Sequence, residues 1–176
     1  GQGKKTRMPA FKDRFHINGA TVAAVDLVKG VSRLAGFDAP YVAGATGYLD
    51  TDYHAKAEKA LELLGKYDIV YIHVEAPDEA SHNGNVREKI RAIERIDAEV
   101  LVPLIERSAQ DTRLLIVTDH ATPISLKTHY AVEVPFAIYD KNRKSVGCLT
   151  GYNELTGEKI VSGEEMITTL VQGLTL

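Results

Sequence analysis

The sequence predicts an α/β protein built on a mainly parallel sheet. Three short segments, 68–74, 113–118 and 136–139, are rich in β-branched and aromatic residues and have the composition of buried strands. Between them lie segments whose apolar residues recur every three or four positions, which is the spacing of amphipathic helices. Strands that alternate with helices along a chain are typical of parallel sheets.

The N-terminal part begins with a predicted helix that ends before Gly36, a residue suited to a helix C-terminus. Residues 40–43 are apolar and are predicted to form a short strand. Residues 44–47, Gly-Ala-Thr-Gly, follow as a turn and lack the Gly-Lys-Ser/Thr ending of a phosphate-binding P-loop. The apolar positions of the predicted helix before Gly36 are Val25, Val28, Val31 and Leu34.

The next helix is predicted to begin at a cap formed by Thr51 or Asp52. After strand 68–74 comes the strongest helical pattern, and Pro103 is expected to kink or shorten its last turn. Its predicted core stripe is Val86, Ile90, Ile93, Val100, Leu101 and Leu104. Its predicted solvent-facing residues are Glu94, Arg95, Asp97 and Glu99. A terminal helix begins at a capping box of Ser162 and Glu165.

Length and composition fit one globular domain over residues 1–176, with 44% hydrophobic and 26% charged residues. A net charge of −3 gives no electrostatic reason for binding nucleic acid or an acidic membrane surface. No apolar run approaches the roughly 18 residues that span a bilayer. The single cysteine, Cys148, is expected to be inert and indicates a reducing, cytoplasmic setting.

Metal-ligand residues follow two of the predicted strands. Asp78 and His82 come after strand 68–74, and Asp119 and His120 come directly after strand 113–118, with His129 nine positions later. Because ligand groups gather past the carboxyl ends of parallel strands, these residues are expected at one end of the sheet. Carboxylate oxygens with imidazole nitrogens suit Zn²⁺ or Mn²⁺, whereas Ca²⁺ prefers oxygen alone.

The spacing of these residues along the chain predicts the directions in which their side chains point. If residues 78–82 form a helical turn, Asp78 and His82 point the same way. Adjacent Asp119 and His120 point apart in an extended chain, so they would serve two ions or require a bend. The structural alternative is that Asp78 is a helix cap with His82 in solvent, and that Asp119-His120 is an ordinary loop feature.

Other polar residues are weaker candidates. His73 lies inside a strand and is interpreted as a core histidine. His16 and His54 have no partners at ligand spacing and are interpreted as surface residues. Lys127 lies between the Asp119-His120 pair and His129, where it would reach a substrate phosphate or remain an exposed loop lysine.

These motifs together resemble the C-terminal half of the archaeal-type 2,3-bisphosphoglycerate-independent phosphoglycerate mutases, members of the alkaline phosphatase superfamily. The resemblance implies an alkaline phosphatase-like, three-layer α/β sandwich that is incomplete in this chain. It covers most of the chain in order, up to about Arg143. The segments that carry it are 1–3, 44–51, 74–84, 92–97, 118–123, 129 and 134–136.

The resemblance also implies roles. Asp78, His82 and His129 match the ligands of one divalent ion, and Asp119 and His120 match ligands of a second. The ions would be Mn²⁺ or Zn²⁺, with Mg²⁺ as a third candidate. The substrate would be a phosphorylated small molecule. In such enzymes a serine from the N-terminal part takes the phosphoryl group from 3-phosphoglycerate and returns it as 2-phosphoglycerate.

The sequence departs from the family in two ways. None of its serines matches the nucleophile, so no catalytic residue is assigned and the chain alone is expected to be inactive. Residues 123–129 also resemble a branch proposed to act as homoserine kinases. The remaining alternative is a non-catalytic α/β module. An unpaired strand or a bare apolar face in an incomplete sheet favours a homo-oligomer.

Overall fold

The computed structural model describes residues 3, 6–143, 152–153 and 160–173. The chain forms two compact units, Gly1–Ser108 and Ala109–Leu176. Cys148, and with it the expectation that its thiol is inert, lies outside the described residues.

The first unit packs helices around a small parallel sheet. Strand β1 pairs with β2 in parallel, with Gly19 opposite Ile69 and Val22 opposite Ile72. The elements in chain order are α1 (Phe11–Phe15), β1 (Gly19–Val22), α2 (Asp26–Leu34), α3 (Tyr53–Leu64), β2 (Ile69–Ile72), α4 (Ala76–His82), α5 (Val86–Ile96), a π-helical segment (Asp97–Leu101) and α6 (Val102–Arg107).

Strand β1 is fully buried, yet the apolar pattern did not predict it, because Gly19, Ala20 and Thr21 carry little hydrophobic signal. Small residues are needed there, since a Cβ at Gly19 would lie 2.4 Å from the ring of Phe37. The predicted strand at 40–43 is wrong. Backbone pairing on this side of β1 stops at a single bridge between Ala20 and Asp38, and Pro40 has no N–H to extend it.

Helix α3 confirms one of the two predicted caps. The carboxylate of Asp52 accepts a hydrogen bond from the backbone N–H of Ala55 at 2.8 Å. The buried face of this helix is Tyr53, Lys56, Ala57, Ala60 and Leu63. A lysine on such a face is unusual, because charged side chains are rarely buried unless they are paired.

The predicted long helix corresponds to α5, the π-helical segment and α6, which run on without a break and are together called the long helix. It differs from its prediction in two respects. The side chains of Val86, Ile90 and Ile93 are 51–53% exposed, so the N-terminal half of the expected core stripe is not covered by the described residues. Between α5 and α6 the helix widens into a π-helical segment that ends two residues before Pro103, which cannot supply the N–H that a regular α-helix requires there.

The second unit contains β3 (Arg113–Val117), β4 (Phe136–Asp140) and α7 (Gly163–Gln172). The two strands pair antiparallel, so the predicted parallel pairing holds for β1 and β2 but not here. Both β2 and β3 are half-buried rather than buried on both faces. The cap of α7 is confirmed, because the Ser162 hydroxyl accepts from the N–H of Glu165 at 3.1 Å.

Within the described residues, no helix combines the length and the apolar character needed to cross a membrane.

Candidate metal centre

Helix α4 places the first predicted ligand pair. It begins directly after the short connection that follows β2, with Pro77 in its first turn. Asp78 and His82 are four residues apart and therefore lie on one face. The Nε2 atom of His82 lies 3.3 Å from Oδ2 of Asp78, and both side chains are partly buried.

That distance fits a shared metal ion. Two ligands bonded at about 2.0–2.2 Å in a tetrahedral site are separated by about 3.4 Å. The His82 side chain is 35% exposed, and its imidazole is directed at Asp78. The alternative that Asp78 caps the helix is wrong, because Glu75 occupies the N-cap position of α4.

The second pair follows β3. The backbone bends at Asp119 and His120, and one Asp119 oxygen accepts a hydrogen bond from the backbone N–H of His120 at 3.0 Å. The other oxygen lies 3.4 Å from Nε2 of His120, which is again the spacing of two ligands on one ion. The bend is thus the alternative that the structure adopts, and it turns the adjacent side chains toward each other.

His120 is oriented through its other ring nitrogen. Its Nδ1 atom lies 3.2 Å from the hydroxyl of Thr122, which is buried. Metal-binding histidines commonly make such a hydrogen bond, because it fixes the ring and leaves Nε2 available to the ion. Thr122 was not among the predicted site residues, and only its position two residues after His120 in a Thr-Pro turn could have indicated it.

His129 joins His120 through the fold of the intervening loop. Ala121 and Tyr130 form an isolated antiparallel bridge, with the Tyr130 N–H donating to the Ala121 carbonyl at 2.9 Å. His120 and His129 flank that bridge, and their ring centroids are 3.7 Å apart. The second unit therefore brings together three of the predicted ligands, Asp119, His120 and His129.

Lys127 lies in the same loop. It is exposed, and its backbone φ of +54° closes a turn in which its N–H donates to the Pro123 carbonyl at 2.9 Å. An exposed lysine at this position can reach an anion.

The remaining histidines follow their interpretations. His16 and His54 are exposed, and His54 has a side-chain exposure of 67%. His73 is largely buried at the end of β2, where its Nδ1 lies 3.4 Å from a carboxylate oxygen of Glu75. This His73–Glu75 pair, three residues before Asp78, was not predicted as a pair.

Arg95 and Glu99 correct the predicted solvent-facing side of the long helix. Glu94 and Asp97 are exposed as expected, but Arg95 is half-buried and donates to the Leu49 carbonyl at 3.0 Å. It also makes two bonds to Glu99, at 2.6 and 3.0 Å. Arg95 therefore links the long helix to the loop at 44–51.

Comparison with known proteins places these motifs in a family. Residues 1–167 match the family model described as the metalloenzyme superfamily. The chain belongs to this superfamily. It is also 43% identical to a 2,3-bisphosphoglycerate-independent phosphoglycerate mutase of Methanothrix thermoacetophila over 98% of its length. A second mutase of that name, from Methanothermobacter thermautotrophicus, is 51% identical over 77% of the chain.

Solved structures agree on the fold. The PH0037 protein from Pyrococcus horikoshii is 34% identical and superposes on 84% of this chain with a TM-score of 0.78. A cofactor-independent phosphoglycerate mutase from Thermoplasma acidophilum superposes on 96% of it with a TM-score of 0.69, at 23% identity. The predicted α/β fold of the alkaline phosphatase-like type is confirmed.

The chain matches only part of the length of each relative. The chain spans 46% of the Methanothrix mutase, 34% of the Methanothermobacter mutase and 44% of the PH0037 protein. The described sheets are correspondingly small, with two strands each. The superfamily resemblance is therefore to somewhat less than half of a longer phosphatase-like protein.

Proposed function

We propose that this chain carries the metal-ligand part of a phosphoglycerate mutase of the cofactor-independent type. In this proposal Asp78, His82 and His129 hold one divalent ion, and Asp119 and His120 hold a second. Both units would then belong to one metal-binding domain over residues 1–176. The single observation that supports it best is the ligand-like spacing of two carboxylate–imidazole pairs, each placed just after a strand.

The chemistry suits phosphoryl transfer. Two divalent ions, when bound, neutralise the charge on a phosphoryl group and stabilise its attacking and leaving oxygens. The chain's own part is to hold the ligands in place, with α4 aligning Asp78 and His82 and Thr122 orienting His120. Mn²⁺ and Zn²⁺ are the ions we expect, because the set mixes carboxylate and imidazole, with Mg²⁺ less suited to the histidines.

In the parent enzyme the reaction would interconvert 3-phosphoglycerate and 2-phosphoglycerate through a phosphoserine in a cytoplasmic setting. The serine and the remaining ligand would come from outside this chain, so the chain by itself should not turn over substrate. Exposed Lys127 is the proposed contact for the substrate phosphate. Sustained mutase activity of this chain alone would contradict the assignment of the nucleophile elsewhere.

A homoserine kinase-like activity is the second candidate, and the sequence of residues 123–129 is the observation that favours it. The proposed ions do not distinguish the two, because both activities transfer a phosphoryl group. A parent enzyme assayed in parallel with 3-phosphoglycerate, and with ATP plus homoserine, would separate them. Turnover in only one assay assigns the substrate.

Metal content tests the proposed site directly. The chain, purified without chelator, should contain about one Zn or Mn per molecule, and the His82→Ala variant should lose most of it. His54→Ala is the matched control, because His54 is an exposed helical histidine outside the proposed ligand set. Equal metal content in all three proteins, or none in any, would count against a metal site at Asp78 and His82 in this chain.

A further inference from the structure

Lys56 is a charged side chain in the core of the first unit. Its relative exposure is 1%, and it lies on the same face of α3 as Tyr53, Ala60 and Leu63. Burying an ammonium group is unfavourable unless hydrogen bonds and nearby negative charge compensate it. The contacts of this side chain therefore indicate what its position achieves.

The ammonium nitrogen of Lys56 bridges two backbone segments. It lies 3.2 Å from the carbonyl oxygen of Thr46 and 3.4 Å from that of His73. The carboxylate of Glu75 is near enough to favour the charged form, although burial has the larger effect and lowers the pKa of Lys56 to about 8. Glu75 acts on Lys56 from the connection between β2 and α4.

The two bridged segments meet next to the proposed ligands. Thr46 belongs to the 44–51 loop, and His73 immediately follows β2, three residues before α4 begins. A Cβ placed on Gly47 would lie 3.8 Å from the side chain of Glu75, so the loop packs directly on the connection between β2 and α4. On its other side, the loop is held by the bond from Arg95 to the Leu49 carbonyl.

We propose that Lys56 is a positioning residue that holds the 44–51 loop against the β2–α4 connection and so fixes the start of the helix that carries Asp78 and His82. The first half of this inference, the link between loop and strand end, stands on the geometry alone. The second half rests on the proposed function, because it concerns the ligands of an ion. The turn at 44–51 thereby acquires a role that its sequence alone did not indicate.

Hydrogen exchange tests the link. The hydrogen bonds of the loop include Thr46 N–H to the Thr51 hydroxyl at 3.0 Å, Thr51 N–H to the Tyr48 carbonyl at 3.1 Å, and Asp52 N–H to the Gly44 carbonyl at 2.9 Å. In Lys56→Met, which keeps the apolar stem and removes the ammonium, amides at 44–52 should exchange about tenfold faster or more. Amides of β3 should not change.

Two control variants separate positioning from loss of stability. Lys59→Met removes a lysine from the same helix whose ammonium pairs with Glu62, and it should leave exchange at 44–52 unchanged. Ala60→Gly weakens α3 at a buried site without touching the ammonium. If Ala60→Gly accelerates the loop as much as Lys56→Met does, or if Lys56→Met has no effect there, the proposal is wrong.

A measurement on the unmodified protein covers the case in which Lys56→Met does not fold. The Lys56 ammonium should appear as a slowly exchanging signal in a ¹H–¹⁵N lysine-selective NMR spectrum, because its protons are buried and bonded to carbonyls. Rapid exchange of every lysine ammonium, as for surface groups, would overturn the proposed link.

Metal affinity tests the second half. Zn²⁺ binding to the chain should be about tenfold weaker in Lys56→Met than in Lys59→Met, by analogy with other groups that orient metal ligands. An equal affinity in the two variants would show that the link does not position Asp78 and His82. If the unmodified chain binds no Zn²⁺, the proposed function fails for this chain, while the exchange data still decide whether Lys56 holds the loop.

Discussion

The guanidinium carbon of Arg95 lies 4.1 Å from the centroid of the Tyr53 ring, stacking the long helix on the first turn of α3. The same guanidinium bonds Glu99 through two nitrogens and the Leu49 carbonyl through a third contact. A planar, forked cation can make all these contacts at once, whereas an ammonium cannot. The pair therefore couples α3, α5 and the 44–51 loop through one side chain.

Replacement of Arg95 by lysine should consequently destabilise the protein. We expect Arg95→Lys to lower the free energy of unfolding by about 1–2 kcal/mol, because it removes the ring stacking and the paired bonds. Urea unfolding followed by circular dichroism measures this. Arg91→Lys, an exposed position on the same helix, should change stability by less than about 0.5 kcal/mol. Equal effects of the two substitutions would show that the stacking contributes nothing.

The buried Lys56 makes stability depend on pH in a defined direction. Burial lowers the pKa of Lys56 from 10.5 to about 8, so between these values the unfolded chain binds a proton that the folded chain has released. Stability therefore rises with pH across this window because of Lys56, and the contribution is constant below about 8 and above 10.5.

The difference in unfolding free energy between the unmodified chain and Lys56→Met isolates that contribution. The difference should shift in favour of the unmodified chain as the pH rises from about 8 to 10.5. Tyr53, whose pKa is raised by burial, is present in both proteins and its titration cancels. A difference that is independent of pH, measured by urea unfolding at fixed ionic strength, would contradict a shifted lysine.

Thr122 provides a test of the second ligand pair. Removal of its hydroxyl in Thr122→Val keeps the shape of the side chain but deprives Nδ1 of His120 of its bond at 3.2 Å. We expect the affinity of the Asp119–His120 pair for added Zn²⁺ to fall about tenfold, as is usual when the group that orients a ligating histidine is lost. Calorimetric titration measures the change.

The control for this test is Thr128→Val in the same loop. Thr128 is exposed and no described hydrogen bond links its hydroxyl to His120. The affinity of the Thr128→Val variant for Zn²⁺ should match that of the unmodified chain. If both threonine variants weaken binding equally, the loop as a whole, rather than the Thr122 hydroxyl, governs the affinity.

The sequence correctly predicted those features that depend only on residues within a single helix. Asp52 and Ser162 cap helices because their side chains reach backbone N–H groups three residues later. The direction shared by Asp78 and His82 follows from helical spacing alone. Features that depend on contacts between residues far apart in the chain were not predicted. Arg95 was predicted to face solvent, because the sequence gives no sign of its contact with the ring of Tyr53, 42 positions earlier in the chain.

The same distinction applies to the site. The bend at Asp119 and His120 is followed directly by the bridge between Ala121 and Tyr130, which no periodic pattern indicates. The role of Lys56 depends on carbonyls ten positions before it and seventeen after it. Motif and spacing thus identified the ligand residue types, while the groups that orient them emerged only from the three-dimensional arrangement.

The exposed stripe on α5 leads to a prediction about association. Val86, Ile90 and Ile93 form an apolar row of which each side chain is about half exposed, and charged residues on either side leave the row accessible. Burial of such a row against a second copy would remove apolar surface from water. Arg87 and Glu94 lie on the same side of the row, so an antiparallel pair of α5 helices would place opposite charges next to each other.

We therefore expect the chain to form a dimer or a larger assembly at micromolar concentrations, and Ile90→Glu to shift it to monomer. Leu126→Glu is the matched control, because Leu126 is exposed to a similar extent, 51% against 53%, but lies in a loop of the other unit. Multi-angle light scattering at several concentrations gives the mass of each protein. A monomeric unmodified chain would contradict the prediction. Dissociation by Leu126→Glu, with Ile90→Glu still associated, would place the contact on the second unit instead of on α5.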